Sequence, residues 1–341
     1  MKKKIAIIVS VAVAALLLIF FISVVVTMRV SPKPTAVVLN KAVFKEKGSI
    51  TDKDSHEKTK DLVVAKYNLE YKSSHKNNTF DVYYPKEIKD KVPVLFWVHG
   101  GGYLGGDKEM VKEFASKLVA HNQVAVVSMN YELAPDSQYP NQLIQLDEFY
   151  KYMVKNQDQY QHFDFSKLFF GGDSAGAQIA LQYGLVETNK EYADSMKFEQ
   201  SIPKGYIKGM ISYCGPVNLV NLIGLYGENQ AATYTISSIA WSIIGTREWK
   251  TSSQIKEASI AEHVTADYPP TYITDGNFYS FEDQGKTLEE KLKNLKVPVK
   301  TLFFDDTNEM IFHEYQFNYT KPAAKKCFDE TEEFIRGFSS E

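Results

Sequence analysis

The chain opens on an uninterrupted apolar run and then settles into short apolar stretches separated by polar or helix-periodic ones. No charged residue occurs from Ile5 to Met28, a length that crosses a bilayer as a helix. Residues 31–60 are rich in Lys, Thr, Ser and Asp and poorly periodic, and read as a polar stalk with at most a short helix. Alternating apolar positions at 62–72 and 79–84 predict two strands, the second closed by Pro85. The runs "VPVLFWVHG" (92–100) and "VAVVSMN" (124–130) are continuously apolar, as strands buried on both faces are. Helical stretches fit at 108–121 and 138–155. A strand opening at Leu168–Phe170 runs into a helix from Ala175. Further strands follow at 207–215, 271–276 and 299–304, with helices at 281–294 and 322–336. This alternation predicts a mostly parallel eight-stranded sheet with helices on both faces. Residues 218–268 interrupt it with apolar helical material and read as an inserted lid. The expected organisation is therefore a membrane anchor at 1–30, a stalk at 31–60 and an α/β domain at 61–341 carrying the lid.

The apolar run is longer than a signal peptide's, and Val26-Thr27-Met28-Arg29 is a poor cleavage site. An uncleaved anchor is expected, with secretion after cleavage as the alternative. Lys2, Lys3 and Lys4 precede the span, and the positive-inside rule keeps them in the cytoplasm with the remaining chain outside. Setting aside these three lysines and Arg29 takes the net charge from −3 to −7. A mildly acidic domain of this kind has no electrostatic reason to bind nucleic acid. With 44% hydrophobic residues among 341 it has ample material for a core. Only Cys214 and Cys327 are present; they read as two separate buried thiols, and no C-x-x-C or histidine cluster suggests a metal.

In a sheet of this kind functional residues lie beyond the carboxyl ends of the strands, and three features fall there. "HGGGY" (His99 to Tyr103) leaves backbone N–H groups unshielded by side chains. Gly172-Asp173-Ser174-Ala175-Gly176 is a G-x-S-x-G, the arrangement that thrusts a serine hydroxyl out of a strained strand-to-helix turn. "FHEYQF" places His313 a short loop beyond the last strand. The order glycine loop, serine, histidine is the one a nucleophile-elbow hydrolase requires.

These motifs, with "NYELAP" (130–135), Tyr139-Pro140 and "YPPTYITDG" (268–276), make residues 62–336 resemble the hormone-sensitive-lipase branch of the α/β-hydrolase esterases. The resemblance implies an α/β-hydrolase fold and a carboxylic-ester hydrolase (an esterase, lipase or deacetylase) acting on a small acyl ester through an acyl-enzyme, with no cofactor. Ser174 is the candidate nucleophile and His313 its base. The N–H groups of Gly101, Gly102 and Ala175 are the candidate oxyanion donors. His99, Gly100 and Asp173 support the motifs, His99 organising the glycine loop rather than acting as a base. The remaining histidines carry no motif, and Tyr131, Glu132 and Asp147 read as scaffold. Of the lid aromatics Tyr226, Tyr234, Trp241 and Trp249, one or two are candidates for the acyl pocket.

One position departs from the family. Where it places the triad aspartate, "TDGNFYSFEDQG" has Phe278 or Tyr279. The orienting carboxylate must then come from Asp275, Glu282 or Asp283. Ser280 resembles a helix N-cap with Asp283 three residues on, which leaves Glu282 as first choice and Asp275 as runner-up. The missing standard acid also keeps open a non-catalytic ligand- or partner-binding protein on the same fold. Acyl length and oligomeric state have no signature in the chain.

Overall fold

The computed structural model describes residues 2–44, 48–222, 227 and 229–339; Tyr226 lies outside them. The chain begins with helix α1 (Lys2–Val30), whose Ile7–Val30 stretch has a mean hydropathy of 3.1 and is not buried against the protein. Two short helices follow, α2 (Lys33–Ala42) and α3 (Lys53–Thr59). Strands β1 (Val63–Glu70), β2 (Thr79–Pro85) and β3 (Val92–Val98) come next. Helix α4 (Lys112–His121) leads to β4 (Ala125–Met129), and α5 (Asn141–Lys155) to β5 (Phe163–Asp173). Helices α6 (Ala175–Thr188) and α7 (Lys190–Ser195) precede β6 (Ile207–Tyr213). Between β6 and β7 (Thr271–Thr274) lie α8 (Gln230–Ile244) and α9 (Ser253–Glu257). The last elements are α10 (Glu282–Asn294), β8 (Val299–Leu302) and α11 (Pro322–Ser339).

The strands form one eight-stranded sheet in the order β1-β2-β4-β3-β5-β6-β7-β8. β2 runs antiparallel to β1 and β4, and every other pairing is parallel. The period of two sorts β3 between the two faces. Phe96 and Val98 join one core, where Phe96 stacks on Phe170 with ring centroids 5.0 Å apart. Leu95 and Trp97 join the other, where Trp97 meets Phe114 and Tyr213. Double-sided burial explains why β3 and β4 read as continuous apolar runs. Cys214 and Cys327 are separate buried thiols, as their sequence contexts suggest.

The segment read as a stalk is corrected by the structure. α2 buries Thr35, Ala36 and Leu39, and Leu39 at this depth contributes about 1.5–3 kcal/mol. Asn40 Nδ2 donates to the Leu104 carbonyl at 2.5 Å, and the Thr35 and Tyr234 hydroxyls lie 3.0 Å apart, which ties α2 to the glycine loop and to α8. Before α3, the N–H groups of Thr51 and Asp52 donate to Glu113 at 2.6 and 2.8 Å. The outer faces of α2 and α3 are mainly polar, Val37 and Val38 excepted, so their composition resembles a linker's. A few inward apolar side chains suffice to dock α2, which becomes part of the cap over the site.

Candidate active site

Ser174 sits between β5 and α6 with φ 48° and ψ −118°, a conformation that costs a non-glycine residue about 1–3 kcal/mol and persists only where its surroundings hold it. The turn is held by Ser174 N–H donating to the Tyr213 carbonyl at 2.8 Å. It is made possible by the flanking glycines. A Cβ on Gly172 would lie 2.5 Å from the Val98 oxygen, and one on Gly176 only 2.0 Å from it. G-x-S-x-G is thus a packing demand of the helix crossing β3, and the serine is what it leaves outermost.

His313 reaches Ser174 from the loop after β8, with Nε2 3.0 Å from Oγ. On the other side of the ring, Nδ1 stands 3.5 Å from Asp275 Oδ1. That separation is long for a hydrogen bond and of the kind that tightens in a substrate complex. Asp275 follows the last residue of β7, and its carboxylate accepts from the Gly276 and Phe281 N–H groups, both at 2.7 Å. Two loops zip together to bring the pair into register. The N–H groups of Asn277 and Phe278 donate to the Ile311 carbonyl, and His313 N–H donates back to Phe278. Gly276 permits this, since a Cβ there would lie 2.2 Å from the Ile311 oxygen.

The preference for Glu282 over Asp275 is overturned by this placement. Glu282 pairs with Lys286 at 3.0 Å, one turn along α10. Among the described residues it makes no ion pair with His313. Ser280 is not the helix cap either; α10 starts behind Phe281 without a side-chain cap. The chain turns at Tyr279, φ 50°, and α10 starts behind Phe281, so the acid at the end of β7, not the one on α10, faces the ring.

Burial works against charge on His313, but the Asp275 carboxylate facing Nδ1, with the charges of Glu314 and Asp173, outweighs it and leaves its pKa raised above the ordinary histidine value. Glu314 Oε1 lies 3.9 Å from Nε2. The sequence assigns this neighbour no role, although it lies within the "FHEYQF" stretch.

Asp173 holds the glycine loop against the elbow. Its carboxylate accepts from Trp97 Nε1 at 2.8 Å and from Gly100 N–H at 2.7 Å. Burial pushes its pKa up to about 6 even with those donors and His313 pulling it down. His99 is fully buried, its Nδ1 2.7 Å from the Gly100 carbonyl and its ring stacked on Tyr131. Burial drives its pKa down to about 4, so it is neutral at pH 7 and turned into the loop. Gly101 and Gly102 take φ of +105° and +59°, which only glycine adopts cheaply. Asp173→Asn replaces one accepting oxygen with an amide that cannot receive Gly100 N–H. It is expected to lower kcat by about tenfold or more with KM little changed, as a displaced oxyanion loop does; steady-state kinetics on a soluble ester check it.

Two cavities meet at Ser174 and His313. One, of about 360 Å³, is lined by α8 side chains such as Ile236, Ile239 and Ile243, with Ala175, Tyr279 and Phe281. The other, of about 350 Å³, runs past Gly101, Met110 and Glu314. Phe44 borders both, and nothing in the polar segment around it marked it for a role. Among the described lid aromatics, Tyr234, Trp241 and Trp249 do not line the first cavity. Tyr234 reaches Thr35, Trp241 lies under Arg247 and Trp249 is buried. Helix α8 points its aliphatic stripe inward instead.

A fold with this sheet order, an elbow serine beyond β5 and a histidine beyond β8 defines the α/β-hydrolase class. Residues 80–292 match the BD-FAE family model, and the chain belongs to that family. An α/β hydrolase of Acanthamoeba polyphaga mimivirus is 25% identical over 281 residues, covering 79% of this chain and 74% of its own length. Among solved structures, esterase B from Lactobacillus rhamnosis superposes with a TM-score of 0.69 at 18% identity, over 85% of this chain and 92% of that one. A thermophilic carboxylesterase from a metagenomic library, EstE1, gives 0.64 at 16% identity over 91% and 98%. These two likenesses are of fold.

Proposed function

We propose that the chain is a carboxylic-ester hydrolase working through an acyl-enzyme on Ser174. The observation that carries this is the 3.0 Å contact between Ser174 Oγ and His313 Nε2, with Asp275 behind the ring at 3.5 Å. Neutral His313 takes the hydroxyl proton as Oγ attacks the ester carbonyl, and returns it to the departing alkoxide. Asp275 fixes the ring with Nδ1–H toward it and stabilises the imidazolium formed in between. The N–H groups of Ala175, Gly101 and Gly102 receive the oxyanion, each donor contributing on the order of 10²–10³ in rate. Water then attacks the acyl-enzyme with His313 again as base. One of the solved esterase B structures is described as inhibited by a tributyrin phosphonate, which supports the same chemistry here. The test is hydrolysis of a chain-length series of p-nitrophenyl esters, with labelling by a serine-directed phosphonate. No hydrolysis at any length and no label would refute the reading.

The apolar 360 Å³ cavity is the acyl pocket in this reading, and Phe44 is the wall between it and the second cleft. Phe44→Ala joins the two spaces and is expected to move the preferred acyl chain toward greater length, with kcat/KM for the short ester reduced several-fold. The same ester series reads this shift.

α1 anchors the protein with its lysines in the cytoplasm and residues after Val30 outside. Its length, its mean hydropathy of 3.1 and its lack of burial in the fold support the span, and the three lysines before it support the orientation. Intact mass of the protein in a membrane fraction tests retention of α1, and modification by an impermeant amine reagent on intact cells tests its orientation.

A further inference from the structure

We infer that the rim of the site rests on the bilayer that α1 spans, so that its substrate is a membrane-resident acyl ester entering from the lipid side. This builds on the hydrolase and anchor readings above. Only Ser31 and Pro32 separate α1 from α2, and two residues reach at most roughly 7 Å. The cap therefore begins where the membrane span ends. A second tie reinforces the junction: Arg247, in the turn after α8, donates to the Arg29 carbonyl at 2.8 Å. The same guanidinium lies 5.2 Å over the Trp241 ring. Arginine with tryptophan is the chemistry of the headgroup layer.

The apolar surface is distributed to match. On α2, Thr35, Ala36 and Leu39 face the protein while Val37 and Val38 face outward, Val38 60% exposed. Val43, just past α2, is exposed as well. Tyr279 on the loop after β7, and Met310 (61%) and Phe312 (52%) on the loop carrying His313, complete the rim. Outside α1 and among the described residues, only Leu62, Tyr67 and Tyr206 are large exposed apolar side chains away from the cap and these loops. Tyr206 precedes β6, at the opposite end of the parallel strands. Apolar surface gathered round one cavity mouth marks a binding surface. The bilayer is the partner this chain carries attached to it, and side chains of this type partition into its interfacial layer.

The test uses the full chain in phosphatidylcholine vesicles. Cys214 and Cys327 are buried at 1% and 0% exposure, so a polarity-sensitive thiol dye reports an introduced cysteine selectively. Dye on Val38→Cys or Met310→Cys is expected to be quenched by brominated acyl chains, and dye on Tyr206→Cys is not. This reading needs no catalysis, so it decides the docking even if the hydrolase assignment fails. Absence of quenching at 38 and 310, including through shielding by a second copy or another protein, overturns the inference, as does equal quenching at all three positions. In the catalytic arm, the double variant Val38→Glu with Met310→Glu carries charge on the lipid-facing rim. It is expected to lose about tenfold or more of wild-type activity on a long-chain fluorogenic ester dissolved in the vesicles. Hydrolysis of water-soluble p-nitrophenyl butyrate should stay within about twofold of wild type. Equal retention of both activities overturns the lipid-side entry. A wild type inactive on both esters refutes the hydrolase reading alone.

Discussion

Ser174→Ala is expected to abolish ester hydrolysis, lowering kcat by about 10⁶, the scale reported for loss of a triad serine. The size of the effect follows from the position of the hydroxyl. Oγ is the atom at the elbow that His313 Nε2 contacts, at 3.0 Å, and both cavities meet there. The change is nearly silent for the fold. The hydrogen bond that holds the turn comes from the Ser174 backbone N–H, and alanine keeps it. The positive φ is no worse for alanine than for serine. The variant should therefore melt cooperatively near the wild-type temperature while failing to react with a phosphonate. Labelling at the wild-type rate, located by peptide mass, would show that another group is the nucleophile.

Asp275→Asn is expected to lower kcat by up to about 10⁴, as loss of the orienting aspartate does in a serine triad, whereas Glu282→Gln should change it by less than about twofold. The two acids are seven residues apart and differ in what they face. Asp275 is buried, accepts two backbone N–H groups and has the His313 ring as its third neighbour. Glu282 faces Lys286, and a partly exposed helical pair of this kind is worth little. The pH profile separates a catalytic role from a structural one. His313 must be neutral to accept the serine proton, so kcat/KM rises as pH climbs through its pKa. Asp275 is the main cause lifting that pKa above the ordinary value, against burial. In wild type the acid limb should lie above the usual histidine range. In Asp275→Asn the raising cause is gone and burial remains, so the residual activity should keep its acid limb at lower pH. A loss of rate with an unmoved limb would assign Asp275 to loop structure alone. A large loss in Glu282→Gln would restore the acid that the linear chain favours.

The local and periodic features were readable without coordinates, because each is a property of neighbours along the chain. Continuous apolar runs at β3 and β4 mark strands buried on both faces, since no side of them can be polar. Gly172, Ser174 and Gly176 lie within five residues and make a motif legible along the chain, whereas the close approach of the Val98 oxygen on β3 that demands the glycines shows only in the structure. His313 was found through its position after the last strand. What resisted reading depends on contacts between distant segments. Asp275 and Glu282 are equally acidic on paper, and only the zipping of the β7 loop onto the His313 loop, through Ile311 and Phe278, decides which one meets the ring. The lid aromatics looked like pocket material because they are large, but the inward stripe of α8 is set by its rotation against the core, which brings Ile236, Ile239 and Ile243 to the cavity instead.

By itself, the sequence determined an apolar N-terminal helix, an alternating α/β chain, and a serine, a histidine and a glycine loop each just beyond a strand. All of these follow from spacing, backbone sterics and hydrophobic period. Tertiary structure alone decided that α2 and α3 pack against the domain instead of spanning a gap, that Phe44 stands between two cavities, and that Asp275, not Glu282, lies beside the histidine. A docked amphipathic segment and a solvated linker share much the same composition, and a carboxylate's partner is set by where two loops meet, not by how many residues separate them.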